Sequence, residues 1–140
     1  MTPPRTRLAL FLAALVVRLA ALGVAEASGR FPEVWEYDYL ARNLLSGKGF
    51  VYFHMGIDYR AYVEPAYPFL VAGVYAVTGH SAFALGVVQC LISALVPLVV
   101  YELGRRTFGH AGAAAAGTLA AVHPGLAAYA VKFHPLVLDS

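Results

Sequence analysis

The 140 residues carry ten Lys and Arg against eight Asp and Glu, a formal net charge of +2, and 60% are hydrophobic with only 13% charged. An ordinary soluble domain is about half apolar and a quarter charged, so this chain cannot cover itself with polar groups and lipid is its natural solvent. The small basic excess, without a Lys/Arg run, argues against a nucleic-acid partner, and the single Cys90 excludes an internal disulfide and reads as a small buried hydrophobe.

In chain order, the first apolar segment runs from about Leu8 to Val24 and is interrupted only by Arg18. It is close to the ~20 residues a helix needs to cross the hydrocarbon core. The basic Met1–Arg7 stretch and Ala25-Glu26-Ala27 also fit a cleavable signal peptide. Arg18, however, splits the apolar run from that site, and the remainder would still be a membrane protein, so an uncleaved anchor is the reading taken. Arg18 either snorkels or pairs with another helix.

Six of the eight carboxylates (Glu26, Glu33, Glu36, Asp38, Asp58 and Glu64) then lie before the next strongly apolar segment. Within this stretch Pro32 and Glu33 suit the first turn of a helix. Tyr37, Leu40, Ala41, Leu44 and Leu45 recur at helical spacing, and Ser46-Gly47-Lys48-Gly49 supplies a stop with a left-handed cap. The expected product is an amphipathic helix on the membrane surface, anchored by Trp35 and tyrosines. Asp38 and Arg42, at i,i+4, would form an ordinary helix-surface pair worth roughly a few tenths of a kcal/mol. A further apolar stretch from Pro65 to Thr78 has only about ten uninterrupted apolar residues, which suits an interfacial or re-entrant helix. Glu64 would favour its N-terminal dipole.

The second span is expected from about Ala82 to Leu103, with Pro97 as a kink, and the third from about Ala111 to Val131. Gly112, Ala113 to Ala116 and Gly117 give the small residues that tight helix packing in lipid requires. Arg5 and Arg7 place the N-terminus in the cytoplasm, and Arg105-Arg106 belongs there too. Both conditions hold only if Pro65 to Thr78 does not cross. Residues 26–81 then form one extracytoplasmic loop, and His123 to Ser140 returns to the same side. His123-Pro124 and His134-Pro135 mark helix ends or kinks. His54, His80, His123 and His134 share no metal-ligand spacing on one helix. The expected class is all-α and polytopic, with residues 1–140 forming the N-terminal part of a single transmembrane domain and Phe133-His134-Pro135-Leu136-Val137-Leu138-Asp139-Ser140 as the entry to a fourth helix.

The order of these elements is itself informative. A basic N-terminus and an Arg-bearing span precede Ala41-Arg42-Asn43-Leu44-Leu45-Ser46-Gly47-Lys48-Gly49-Phe50. Then come Pro65-Ala66-Tyr67-Pro68-Phe69-Leu70 and a span closing on Tyr101-Glu102-Leu103-Gly104-Arg105-Arg106-Thr107-Phe108-Gly109. This resembles the N-terminal part of the GT-C membrane glycosyltransferases, in the branch of protein O-mannosyltransferases and aminoarabinose transferases. The resemblance implies sugar transfer from a polyprenyl- or dolichyl-phosphate carrier to an extracytoplasmic acceptor: protein, lipid or glycan. It implies an essential carboxylate in the first extracytoplasmic loop, which falls on Glu36 with Asp38 close by. Many members have Asp-Glu or Asp there, whereas this chain has Trp35-Glu36-Tyr37-Asp38, so the choice between the two stays open. Leu138-Asp139-Ser140 is similar to the Leu-Asp-Ser of mannosyltransferases, which makes Asp139 a second catalytic candidate.

The chemistry of such a transfer needs a base for the attacking hydroxyl and positive charge for the departing phosphate. Arg42, Lys48 and Arg60 are the candidates for that charge, with Glu64 beside them. No cofactor is expected, and a divalent metal is compatible but not implied. The expected location is a bacterial inner membrane, multi-pass, with the loop outside. The competing reading is a non-catalytic small membrane protein, a transporter fragment or scaffold subunit, in which the loop carboxylates do nothing.

Overall fold

The computed structural model describes residues 4–29, 36–60, 63–132, 134 and 138. Its elements are α1 (Pro4–Ala27), α2 (Glu36–Leu45), β1 (Val51–His54), β2 (Ile57–Arg60), α3 (Ala66–Thr78), α4 (Ala82–Ser93), α5 (Val96–Val122) and α6 (Pro124–Ala130). The protein is mostly helical, and two stretches, Arg5–Ala27 and Ala82–Val122, are long and apolar enough to cross a membrane. α3 is a shorter apolar helix of 13 residues, about 20 Å long and so short of the ~30 Å hydrocarbon thickness.

The second of those stretches is folded back on itself. Gly109 leaves the helical region at φ 70 and ψ −172, a conformation open chiefly to glycine. A Cβ on Gly104 would stand 3.2 Å from Ala113 Cα, and one on Gly117 would stand 3.3 Å from both Pro97 O and Tyr101 Cβ. Residues 96–108 and 110–122 are therefore two antiparallel arms in backbone contact, as small residues permit in lipid. The expected helix boundaries shift accordingly. The break before the first arm falls at Ala94 and Leu95, and Pro97 sits in the opening turn of α5, where its missing N–H costs nothing. The stretch 111–131 is interrupted at His123, whose Nδ1 caps α6 by accepting from Leu126 N at 3.4 Å.

α1 packs against both arms in successive layers. Arg7 meets Glu102; Leu10 meets Tyr101 and Ala113; Ala14 meets Ala94 and Ala121; Leu22 meets Cys90 and Ala130. Numbers rise along α1 while they fall along the first arm and α4, and rise again along the second arm and α6. The bundle is thus antiparallel then parallel to α1, with Arg7, Glu102, Arg105 and Gly109 at one end. Arg18 lies between the layers, fully buried. Its Nε donates to Ser93 Oγ at 2.8 Å, and Nη1 donates to Ala14 O and Ala121 O at 3.1 and 3.0 Å. It pairs with neighbouring helices rather than snorkelling, because three acceptors lie within its reach at mid-bundle and the headgroups lie several turns away.

The chain between α1 and α4 gathers at the other end. Tyr67, Val71, Ala72 and Tyr75 of α3 close a core with Ala41 of α2 and Leu85 of α4. The all-α expectation needs one correction here, since β1 and β2 form an antiparallel hairpin pairing Val51 with Arg60 and His54 with Ile57. Its two-residue turn, Met55-Gly56, has φ 50 and 83, the left-handed geometry that matches strand twist in tight hairpins.

Candidate functional site

α2 is the element that sorts the loop's charges. Gly47, at φ 75, ends it, and Lys48 N donates back to Asn43 O at 2.9 Å. At about 100° per residue, Glu36, Tyr39 and Asn43 fall on one stripe of this helix and Asp38 and Arg42 on another, roughly 110° round from it. Tyr37, Ala41 and Leu44 between them pack on α3.

The Tyr39–Asn43 side faces the hairpin across a cleft of about 340 Å³. Tyr39, Asn43, Lys48, Val51, Phe53, Asp58 and Arg60 line it. Asn43 Nδ2 donates to Val51 O at 2.6 Å and so ties helix to strand. Tyr39 meets Tyr52 edge-on at 5.6 Å. Glu36 opens the stripe one turn before Tyr39, half-buried and outside the cleft lining, and makes no ion pair with any described residue. Two of the four expected phosphate-binding residues, Lys48 and Arg60, therefore come together with Asp58. Glu64 stands exposed before α3, outside the cleft lining.

Arg42 and Asp38 are engaged elsewhere. Asp38 Oδ2 accepts from Arg42 Nε at 2.7 Å, and Oδ1 meets His80 Nε2 at 2.9 Å. The i,i+4 pair exists, but Asp38 is not on a solvated surface: it is 7% exposed, and its second partner is 42 residues away. Packing of α2 on α3 and the start of α4 accounts for the difference. Sequence reasoning considered His80 only as a metal ligand and missed this contact. The His80 ring also stacks on Tyr75 at 4.2 Å. The buried Tyr75 phenol faces the same carboxylate without closing a hydrogen bond to it. Burial first, then the Asp38 carboxylate, pushes its ionisation well above the ordinary phenol range. Tyr67 is raised likewise, by burial and then by Tyr75 and Tyr37.

Asp139, Trp35, Pro32 and Glu33 lie outside the described residues. An apolar groove of about 460 Å³ runs along Phe69, Gly73, Val77 and Val88. Its walls carry no ionisable group and offer no acid, base or phosphate ligand.

The pattern of the dolichyl-phosphate-mannose-protein mannosyltransferase family matches residues 63–138, more than half of the chain. The chain belongs to this family. No curated protein and no solved structure matches it. The matched segment takes in α3 to α6, and α2 and the hairpin precede it. Mannosyltransferases of this family are membrane-bound glycosyltransferases that draw on dolichyl-phosphate-linked sugar, which disfavours the reading as an inert scaffold or transporter fragment.

Proposed function

We propose that this chain serves the transfer of a sugar from a polyprenyl- or dolichyl-phosphate carrier to an extracytoplasmic protein, lipid or glycan acceptor. Residues 1–140 are then part of a single transmembrane domain. α1, α4 with the first arm of α5, and the second arm with α6 make three crossings, and the chain between α1 and α4 is the reacting loop. The observation that carries the reaction class is the family match across α3 to α6.

Within the loop, Glu36 is the base. The attacking acceptor hydroxyl forms a new bond to C1 of the sugar as the C1–O bond to the carrier phosphate breaks. Glu36 takes the hydroxyl proton, and the electron pair leaves on the phosphate. Lys48 and Arg60 are the cations of the cleft that face that phosphate. Two features favour Glu36 over Asp38. Glu36 shares a stripe with the cleft-lining Tyr39 and Asn43, and it has no ion-pair partner among the described residues. Asp38, by contrast, has both oxygens engaged, by Arg42 and His80. Arg42, bound to Asp38, supports the helix rather than the phosphate. Asp139 stays a second carboxylate on resemblance alone.

Glu36→Gln keeps the size of the side chain and removes its basicity. In the protein assayed in its native membrane, the expected loss of transfer is on the order of 10²–10⁴-fold with insertion intact. Undiminished transfer in that variant refutes the assignment.

A further inference from the structure

His80 stands in left-handed backbone at φ 72, directly after Gly79 at φ 68. Such a conformation is costly for a residue with a side chain, and it persists only where the surroundings hold it. Two contacts do so. The ring stacks on Tyr75 of α3 at 4.2 Å and 22°, and Nε2 lies 2.9 Å from Asp38 Oδ1 of α2. Ser81, the next residue, caps α4 by accepting from Ala84 N at 3.2 Å. The imidazole thus bridges α2 to the α3–α4 corner, and the charged and titratable groups around it are Asp38, Arg42 and Tyr75.

We propose that His80 is a positioning residue for the transfer reaction: by gripping Asp38 it sets the rotation of α2 about its axis, and so keeps Glu36 on the side of the helix that Tyr39 and Asn43 present to the hairpin cleft. The proposal rests on the reading of Glu36 given above. Residues two apart on a helix point roughly 200° apart, so an anchor on Asp38 turns Glu36 toward the opposite side. α2 has only ten residues, and its N-terminal turn carries both groups. Arg42 alone cannot supply this constraint, because it rides on the same helix as Asp38 and turns with it. His80 is the partner of Asp38 that comes from another element.

The test uses the protein in native membranes, with turnover of tritiated dolichyl-phosphate mannose normalised to the folded enzyme present. His80→Gly removes the ring and relieves the backbone, since glycine accepts φ 72 freely. His80→Gln keeps an N–H donor for Asp38. The expected result for His80→Gly is a fall in kcat on the order of tenfold or more, with KM for the donor little changed, as for a misplaced reacting group. His80→Gln should recover most of that loss. Wild-type kcat in His80→Gly, a loss confined to KM, or a glutamine no better than glycine overturns the proposal. Glu36→Gln run alongside separates the two levels. If it abolishes turnover while His80→Gly does not lower kcat, only the positioning role fails. If it retains turnover, the Glu36 reading fails and this inference with it.

Discussion

The close approach of the two arms of α5 gives a prediction whose sign differs between three glycines. A Cβ added at Gly117 would meet Leu10 Cδ1 at 2.9 Å, Pro97 O at 3.3 Å and Tyr101 Cβ at 3.3 Å. Carbon contacts are comfortable at about 3.5–4.0 Å. Leu10 can swing its methyl aside. Pro97 O and Tyr101 Cβ are fixed to the facing arm, so the two arms must separate by a few tenths of an ångström. Overpacking of this kind costs about 1–3 kcal/mol, and Gly117→Ala belongs at the low end with Gly117→Val above it. Gly104→Ala should behave similarly, its new Cβ standing 3.2 Å from Ala113 Cα. Gly23, in α1, has nothing within 4 Å of its Cβ position, so Gly23→Ala should stabilise by about 0.5–1 kcal/mol through helix propensity alone. Thermal unfolding of the purified protein in detergent measures all of these variants. The expected order of midpoints is Gly23→Ala, wild type, Gly117→Ala, Gly117→Val. A Gly117→Val protein as stable as wild type would mean that the arms do not meet, and that the reversal at Gly109 is wrong.

Two other predictions test the ends of the molecule. Tyr67 and Tyr75 have ionisation raised by burial; a group raised in the folded state contributes stability below its unfolded value, about pH 10, that is lost as pH rises beyond it. Thermal midpoints should therefore fall above about pH 10, and the fall should be shallower in the Tyr67→Phe, Tyr75→Phe double variant; an unchanged slope counts against the burial of these phenols. Cysteines placed at Arg106 and at Asp58, in a Cys90→Ser background, should react with a membrane-impermeant maleimide from opposite sides of sealed vesicles. Labelling of both from one side would contradict the three-crossing arrangement.

The parts of the fold that were legible in the sequence are those set by long-range composition. Apolar runs of about twenty residues announce a membrane helix because lipid offers no other partner for a bare backbone, and this holds for α1 and for the Ala82–Val122 stretch. The hairpin at 51–60 was missed for a physical reason. Its turn residues are Met55 and Gly56, without the Asn or Asp that usually marks such a turn, and the strands are four residues each. Burial of Asp38 was missed because its second partner is 42 positions away. An i,i+4 neighbour in sequence gives a sufficient local explanation, and nothing local reveals that another element covers the pair. His80 carried a faint signal: a large side chain after Gly79, at a helix end, where the left-handed region is usually left to glycine.

The polarity of the bundle connects these pieces. Arg7 Nη2 donates to Glu102 Oε2 at 2.8 Å, and Arg105 Nη2 donates to Oε1 of the same carboxylate at 2.5 Å. One glutamate thereby joins the start of α1 to the end of the first arm of α5, and brings Arg5, Arg7, Arg105 and Arg106 to a single end. Clustered arginines favour the cytoplasmic face. From Arg7 to Leu22 the layers climb about 22 Å along α1, to where Leu22 meets Cys90 and Ala130. Beyond that level lie α2, the hairpin and α3, held to α4 through Leu85. The basic end and the cleft end are thus separated by most of a hydrocarbon thickness, with Arg18 spanning the helices between them. That separation keeps the cations of the cleft, Lys48 and Arg60, apart from the arginines of the basic end. The short length of α3 maintains it. One further crossing there would carry Glu102, Arg105 and Arg106 together to the side of the cleft and break the contact of Glu102 with Arg7.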